Sequence, residues 1–311
     1  MIKPNRENAL WMAAGAVILI LLFLVVFHFY QKQNPAEQLA FKATRVDLVS
    51  RMQSTLASAS EAEKSAVLAI TDQNSQTYAG QARTATAEVE QARRELSDLL
   101  KTGGTQVEKE LFNQFSELFA KFQSIDNNLL DLAVKNTNIK AYSLAFGPAA
   151  ATLNEMNAAL SRLVVLNAGS PKEKQVMLLA YGTEISGLSL QTLIPPHIAE
   201  ESDQKMDELE ALISKEDKQI LKNLDELTAL RNLKQKTILA TAVSSYAQFS
   251  KIKTQILALS RENTNIKSLS ISLSQKRKVM FLCQDTLNKL QKAIMEEPIA
   301  GVTYGRPARP R

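Results

Sequence analysis

The chain has 311 residues, a formal net charge of +5, 6% aromatics, ten glycines, nine prolines and one cysteine. Ala, Leu, Lys, Gln, Glu and Ser dominate, which favours long helices over sheets. Acidic and basic residues interleave without aromatic–basic alternation, so the charge is a solvated face and no nucleic-acid partner is expected; a single cysteine excludes an internal disulfide.

After a short segment at 1–8, Ala9–Tyr30 reads ALWMAAGAVILILLFLVVFHFY, with no carboxylate, lysine or arginine. At about 1.5 Å per residue this run spans a hydrocarbon core of about 30 Å. Trp11 at one end and His28, Phe29 and Tyr30 at the other suit the two interfaces. The following FHFYQKQ has no small-x-small cleavage site, so the expectation is an uncleaved, single-pass anchor in the inner (cytoplasmic) membrane, with the bilayer as partner. Lys3 and Arg6 precede the span; Lys32, Lys42 and Arg45 follow it among carboxylates. That balance leans towards an N-terminus in the cytoplasm and a periplasmic or extracellular body.

Val49, Met52, Leu56, Ala59, Glu63, Val67 and Ile70 then form a helical seam, with Glu63 as its odd member. Two readings of Glu63 stand: a pair with Lys140, or a loosely packed, exposed turn. A second helix carries Ala82, Val89, Ala92, Leu96 and Leu99 and stops at Gly103–Gly104. Thr105–Glu108 is a capping box that opens a long third helix, which Gly147–Pro148 breaks. A fourth follows with Leu153, Met156, Leu160 and Leu163. Ser170-Pro171-Lys172-Glu173 opens another module, where Pro195–Pro196 should kink or end a helix. The second module has no counterpart to Gly103–Gly104, so near 228–235 there is either a tight turn helped by Asn232 or a continuous helix.

The two modules are related. Asn-Thr-Asn-Ile-Lys occurs at 136–140 and again at 263–267, 127 residues later. Phe115, Leu118, Phe122, Ile125, Leu129, Leu132, Asn136, Ile139, Ser143 and Phe146 make a coiled-coil seam. Ala242, Ser245, Phe249, Ile252, Ile256, Leu259, Asn263, Ile266, Ser270 and Leu273 repeat it. The expected fold is therefore all-α: the transmembrane helix, then tandem four-helix bundles at 36–168 and 170–296, and a flexible basic Pro-rich tail at 297–311.

Leu132–Gly147, LAVKNTNIKAYSLAFG, behind a helix punctuated by phenylalanine and a single apolar span, resembles the four-helix-bundle ligand-binding domain of methyl-accepting chemotaxis receptors. The likeness covers roughly 5–166 and, through the repeat, 170–296. It implies a membrane-anchored sensor that takes a small-molecule ligand or a signalling partner, here without its own transmitter; the family's ligand-binding arginines have no motif that fixes them in this chain. The alternative is a non-enzymatic helical scaffold or adaptor that oligomerises through its seams.

Asn136, Thr137 and Asn138 with Asn263, Thr264 and Asn265 are the candidate site, read either as a structural polar layer that sets register or as a ligand pocket. Arg306, Arg309 and Arg311 in the tail are candidate contacts to anionic headgroups. His28 and His197 lack metal-ligand spacing, and Cys283 lies in an apolar pattern as a buried, inert thiol. No phosphate loop or nucleophile elbow is present, so no catalytic residue, metal or cofactor is expected, and no enzyme.

Overall fold

A computed structural model of the chain describes residues 35–230 and 236–299. The anchor expected at Ala9–Tyr30, and Arg306, Arg309 and Arg311 of the tail, lie outside the described residues. Among those residues no helix is long and apolar enough to cross a membrane, and no strand occurs.

In chain order the helices are α1 (Pro35–Leu68), α2 (Asp72–Gly103), α3 (Gln106–Ala133), α4 (Thr137–Leu144), α5 (Ala150–Leu166), α6 (Glu173–Ala199), α7 (Asp203–Ala229), α8 (Lys236–Glu262), α9 (Thr264–Ile271) and α10 (Arg277–Glu296). A π-helical turn at Ala145–Ala149 joins α4 to α5, and another at Ser272–Lys276 joins α9 to α10.

Several stops follow from local chemistry. α2 ends at Gly103, where a Cβ would meet the Phe41 ring at 2.7 Å. Thr105 Oγ accepts the Glu108 N–H at 3.3 Å and starts α3. α6 begins at Glu173, whose carboxylate turns back to accept the Gly169 N–H at 2.7 Å, with Gly169 at φ 70°. α7 ends at Ala229, so the helix there does not run on.

One proline expectation needs correction. Gly147–Pro148 does not break the chain: the π-helical turn absorbs it, because a wider turn gives the ring room against the carbonyl of the preceding turn. The break falls eleven residues earlier, at Asn136, which adopts the left-handed conformation with φ 52°. Pro195–Pro196 stays within α6, three residues from its end.

Contacts gather the chain into two compact units that are discontinuous in sequence, where the expectation was two contiguous modules. Of the described residues, the first comprises 35–58, 85–121 and 279–299; the second comprises 59–84, 122–230 and 236–278. In the first unit α10 packs beside the N-terminal part of α1: Gln53 Nε2 donates to Asn288 Oδ1 at 2.9 Å and Gln291 Nε2 to Ser50 Oγ at 2.8 Å. Leu48, Val49, Met52, Leu56, Leu96, Leu100, Phe115, Phe119, Cys283 and Leu287 are buried there.

In the second unit α5 lies against α6 and α8, and one apolar cluster runs through Leu153, Met156, Leu160, Ile194, Ile220, Leu224, Phe249 and Ile256. Each stretch that follows an Asn-Thr-Asn motif thus packs with helices of the other half of the sequence. The fourth helices of the two repeats are exchanged.

Candidate functional site

The seam residues up to each motif are buried or half-buried, including Phe115, Phe122, Leu129 and Asn136, but the pattern then shifts. Ser143 and Phe146 are exposed; Ala141, Ala149 and Leu153 face the core instead. The cause is the left-handed residue. Asn136 and Asn263, at φ 52° and 54°, each halt one helix and re-aim the next. Asparagine tolerates this conformation where most L-residues lose roughly 1–2 kcal/mol.

The two new helices, α4 and α9, start against one another. The Thr137 N–H donates to Thr264 Oγ at 3.2 Å, and the Thr264 N–H donates to Thr137 Oγ at 3.1 Å. One residue on, the Asn138 N–H donates to Asn265 Oδ1 at 3.1 Å and the Asn265 N–H to Asn138 Oδ1 at 3.2 Å. Each helix start is therefore capped by side chains of its twin, a use of Thr and Asn that satisfies amides the helix itself leaves open.

The amides extend the layer. Asn138 Nδ2 donates to Asn263 Oδ1 and to the Ile198 carbonyl, both at 2.7 Å. Asn265 Nδ2 reaches Asn136 Oδ1 at 3.1 Å. Asn136 Nδ2 donates to Asp72 Oδ1 at 3.0 Å, while Asn263 Nδ2 donates to the Glu200 carbonyl at 2.8 Å. All six predicted residues are brought together, and every side-chain nitrogen and oxygen among them has a protein partner.

Beside the layer lies a buried histidine. The Ser260 hydroxyl donates its proton to the His197 carbonyl at 2.9 Å, so at Nδ1, 2.8 Å away, it accepts. Nε2 lies 2.9 Å from Glu210. Arg261 bonds that carboxylate and, with His197, holds it below the ordinary carboxylate range. This pairing was not legible in the sequence, because Glu210 and Ser260 lie 13 and 63 residues from His197.

The second π-helical turn carries Lys276 inward. Its ammonium bonds Asp126, lies 3.3 Å from Glu63 and sits 4.6 Å above the Phe122 ring. All three charged side chains are 1% exposed. Glu63 is thus neither exposed nor Lys140's partner. Lys140 instead pairs with Asp72 at 3.1 Å, which leaves Glu63 to the one ammonium delivered by the turn. Asp126 was missed; its signal was position, since it follows Phe122 by four residues and precedes Leu129 and Leu130 on the buried face. Lys276 was legible in the same way, through the four-residue spacing Ser268, Ser272, Lys276, Met280.

In the first unit Arg45 is 2% exposed, bonds Glu108 and Glu297, and stacks on Phe41 at 4.7 Å. Burial pushes the Glu108 carboxyl up, opposed by Arg45. Lys42 Nζ donates to the carbonyls of Met295 at 2.6 Å and Glu297 at 2.7 Å. The start of α1 is clamped to the end of α10. Cys283 is buried as expected, and burial pushes its thiol up to about 12, away from the reactive thiolate.

A family model described as a four-helix-bundle sensory module for signal transduction matches residues 10–175. Among solved structures, the chain is similar to the sensor domain of the V. parahaemolyticus histidine kinase TorS, at 13% identity and a TM-score of 0.49, over 82% of this chain and 99% of that one. No curated protein matches it by sequence.

Proposed function

We propose a function from one premise: the chain belongs to the family of four-helix-bundle sensory modules for signal transduction. Its role is that of the sensing body of a membrane receptor, non-catalytic, anchored by Ala9–Tyr30 and held outside the cytoplasm. It responds to a small-molecule ligand or a partner protein and passes the response along α1 and α10.

The observation that carries this reading is the clamp of Lys42 and Arg45 onto Met295 and Glu297. A change in the bundle that slides α10 against α1 must break or remake these bonds. The test joins the full chain to a histidine-kinase transmitter. Lys42→Ala and Arg45→Ala should shift basal kinase output, while Lys64→Ala on the exposed face of α1 should not. Equal output from all three discards the clamp as a transmission element. Topology is checked separately with alkaline phosphatase fused after Arg311: activity supports an external body, and an inactive fusion contradicts it.

A second reading, an oligomerising component, is favoured by one feature. Leu178, Tyr181, Ile185 and Leu188 of α6 are 64%, 45%, 63% and 55% exposed and recur in steps of three and four, the spacing of a coiled-coil face. Ile185→Glu should lower the sedimenting mass of the purified chain. An unchanged mass removes this stripe as the contact.

A further inference from the structure

The exchanged repeats leave an empty place. Lys276 in the second π-helical turn corresponds, 127 residues earlier, to Ala149 in the first, and Phe122 corresponds to Phe249. Where the lysine chain covers Phe122, the first copy offers only a methyl group beside Phe249. A cavity of about 210 Å³ lies there, between the first π-helical turn and α6. Ala145, Ala149, Ala150, Leu153, Ile194 and Phe249 supply its apolar lining. We propose that this cavity is a binding site for a small, neutral, flat aromatic molecule that carries one hydrogen-bond donor.

Size comes first. A dry cavity of about 150 Å³ lined by Leu, Ile and Phe accommodates benzene, so this one suits a ring system of about nine heavy atoms. Charge comes second. No lining residue is charged, and the counterparts of the Lys276 carboxylates are Leu190, for Glu63, and Lys253, for Asp126. Lys253 is itself committed to Asp217. A cation therefore lacks the partners that hold Lys276, and an anion has no cation on the wall.

Polarity is third. Gln191 has the only polar side chain of the lining, and its carbonyl has lost its regular helical partner because Pro195 has no N–H. Both groups accept a hydrogen bond from a ligand N–H or O–H. Phe146, 68% exposed, stands at the mouth, stacked on Tyr142 at 6.0 Å; the Tyr142 hydroxyl holds the Pro195 carbonyl at 3.3 Å. An occupant thus touches α6 and the first π-helical turn together, and that turn directly continues α4, whose start the Asn-Thr-Asn layer caps.

This inference names a ligand class for the sensory reading, but its occupancy is tested independently of that reading. Indole is titrated against the purified full chain by calorimetry and thermal denaturation, with benzoate as the charged control. Indole should bind saturably and raise the melting temperature, and benzoate should not. Ala149→Leu, which fills the cavity, should abolish indole binding; Ala145→Leu serves if that variant does not fold. Gln191→Leu should weaken indole roughly three- to tenfold, the worth of one neutral hydrogen bond, and leave 1-methylindole unaffected. No indole binding at millimolar concentration, or binding that survives both filling variants, overturns the site. In the kinase fusion, indole that binds without moving output overturns the sensory reading and leaves the site standing.

Discussion

The two Asn-Thr-Asn copies make the same hydrogen bonds to each other and different ones to their surroundings. Asn136 leans on the carboxylate of Asp72, whereas Asn263 leans on the Glu200 main chain. Nine residues after Lys140 stands Ala149, in an apolar cluster; nine after Lys267 stands Lys276, between two carboxylates. Symmetry is kept where backbone amides must be satisfied, because an unpaired amide costs free energy in either copy. It is lost where only volume and charge are at stake, so one copy became a buried ionic cluster and the other a cavity.

The largest test of this contrast removes the buried ammonium. Lys276→Met leaves Glu63 and Asp126 without their cation and should cost about 3–5 kcal/mol in urea unfolding, while adding Glu63→Leu and Asp126→Leu should recover most of it. Ala149→Lys, which places an ammonium in the copy without carboxylates, should cost a similar amount. If either single change costs under about 1 kcal/mol, charge does not distinguish the copies as described.

A smaller effect is expected in the layer itself. Thr137→Val and Thr264→Val should each cost about 1 kcal/mol, and the double variant less than their sum, because the two hydroxyls cap each other's helices. Strict additivity would show that the caps act independently. Asn136→Gly keeps the left-handed turn and loses the amide; Asn136→Leu loses both and should be worse by roughly 1–2 kcal/mol. Equal losses would mean that the backbone conformation carries no cost there.

The smallest effect separates the copies by acid. Hydrogen bonds from Asn136 and Lys140 hold the Asp72 carboxyl below its ordinary value of 3.8. Its contribution is present above that value and lost as pH falls through the lowered one. Asp72 is half exposed, so solvent screens the effect to under about 1 kcal/mol. Asp72→Asn should flatten the acid limb of the stability curve, whereas Asn263→Gly should leave its slope unchanged, since Asn263 binds a carbonyl that does not titrate. Identical acid limbs would erase the difference.

Much was legible before the fold. Glycines 103 and 104 stopped a helix, Thr105 opened one, and periodicity marked Val49, Met52, Leu56 and Phe115 as buried, because these are decided within a few residues of chain. The repeat placed six polar residues in one class, and all six met. The turn at Asn136 was not legible as a break, since asparagine at a seam position also fits a continuous helix; only its left-handed backbone tells the two apart.

What the sequence determined by itself is which faces are buried, where polar residues interrupt them, and that one half echoes the other at 127 residues. What only the tertiary structure decided is the partner of each face. A period of 3.6 says that Lys276 points inward, yet not that Glu63 and Asp126, 213 and 150 positions away, await it; nor does it say that α10 closes the unit begun by α1. Burial is a property of local pattern. Pairing between distant segments follows from which complementary surfaces exclude water together, and that is settled only when the whole chain has folded.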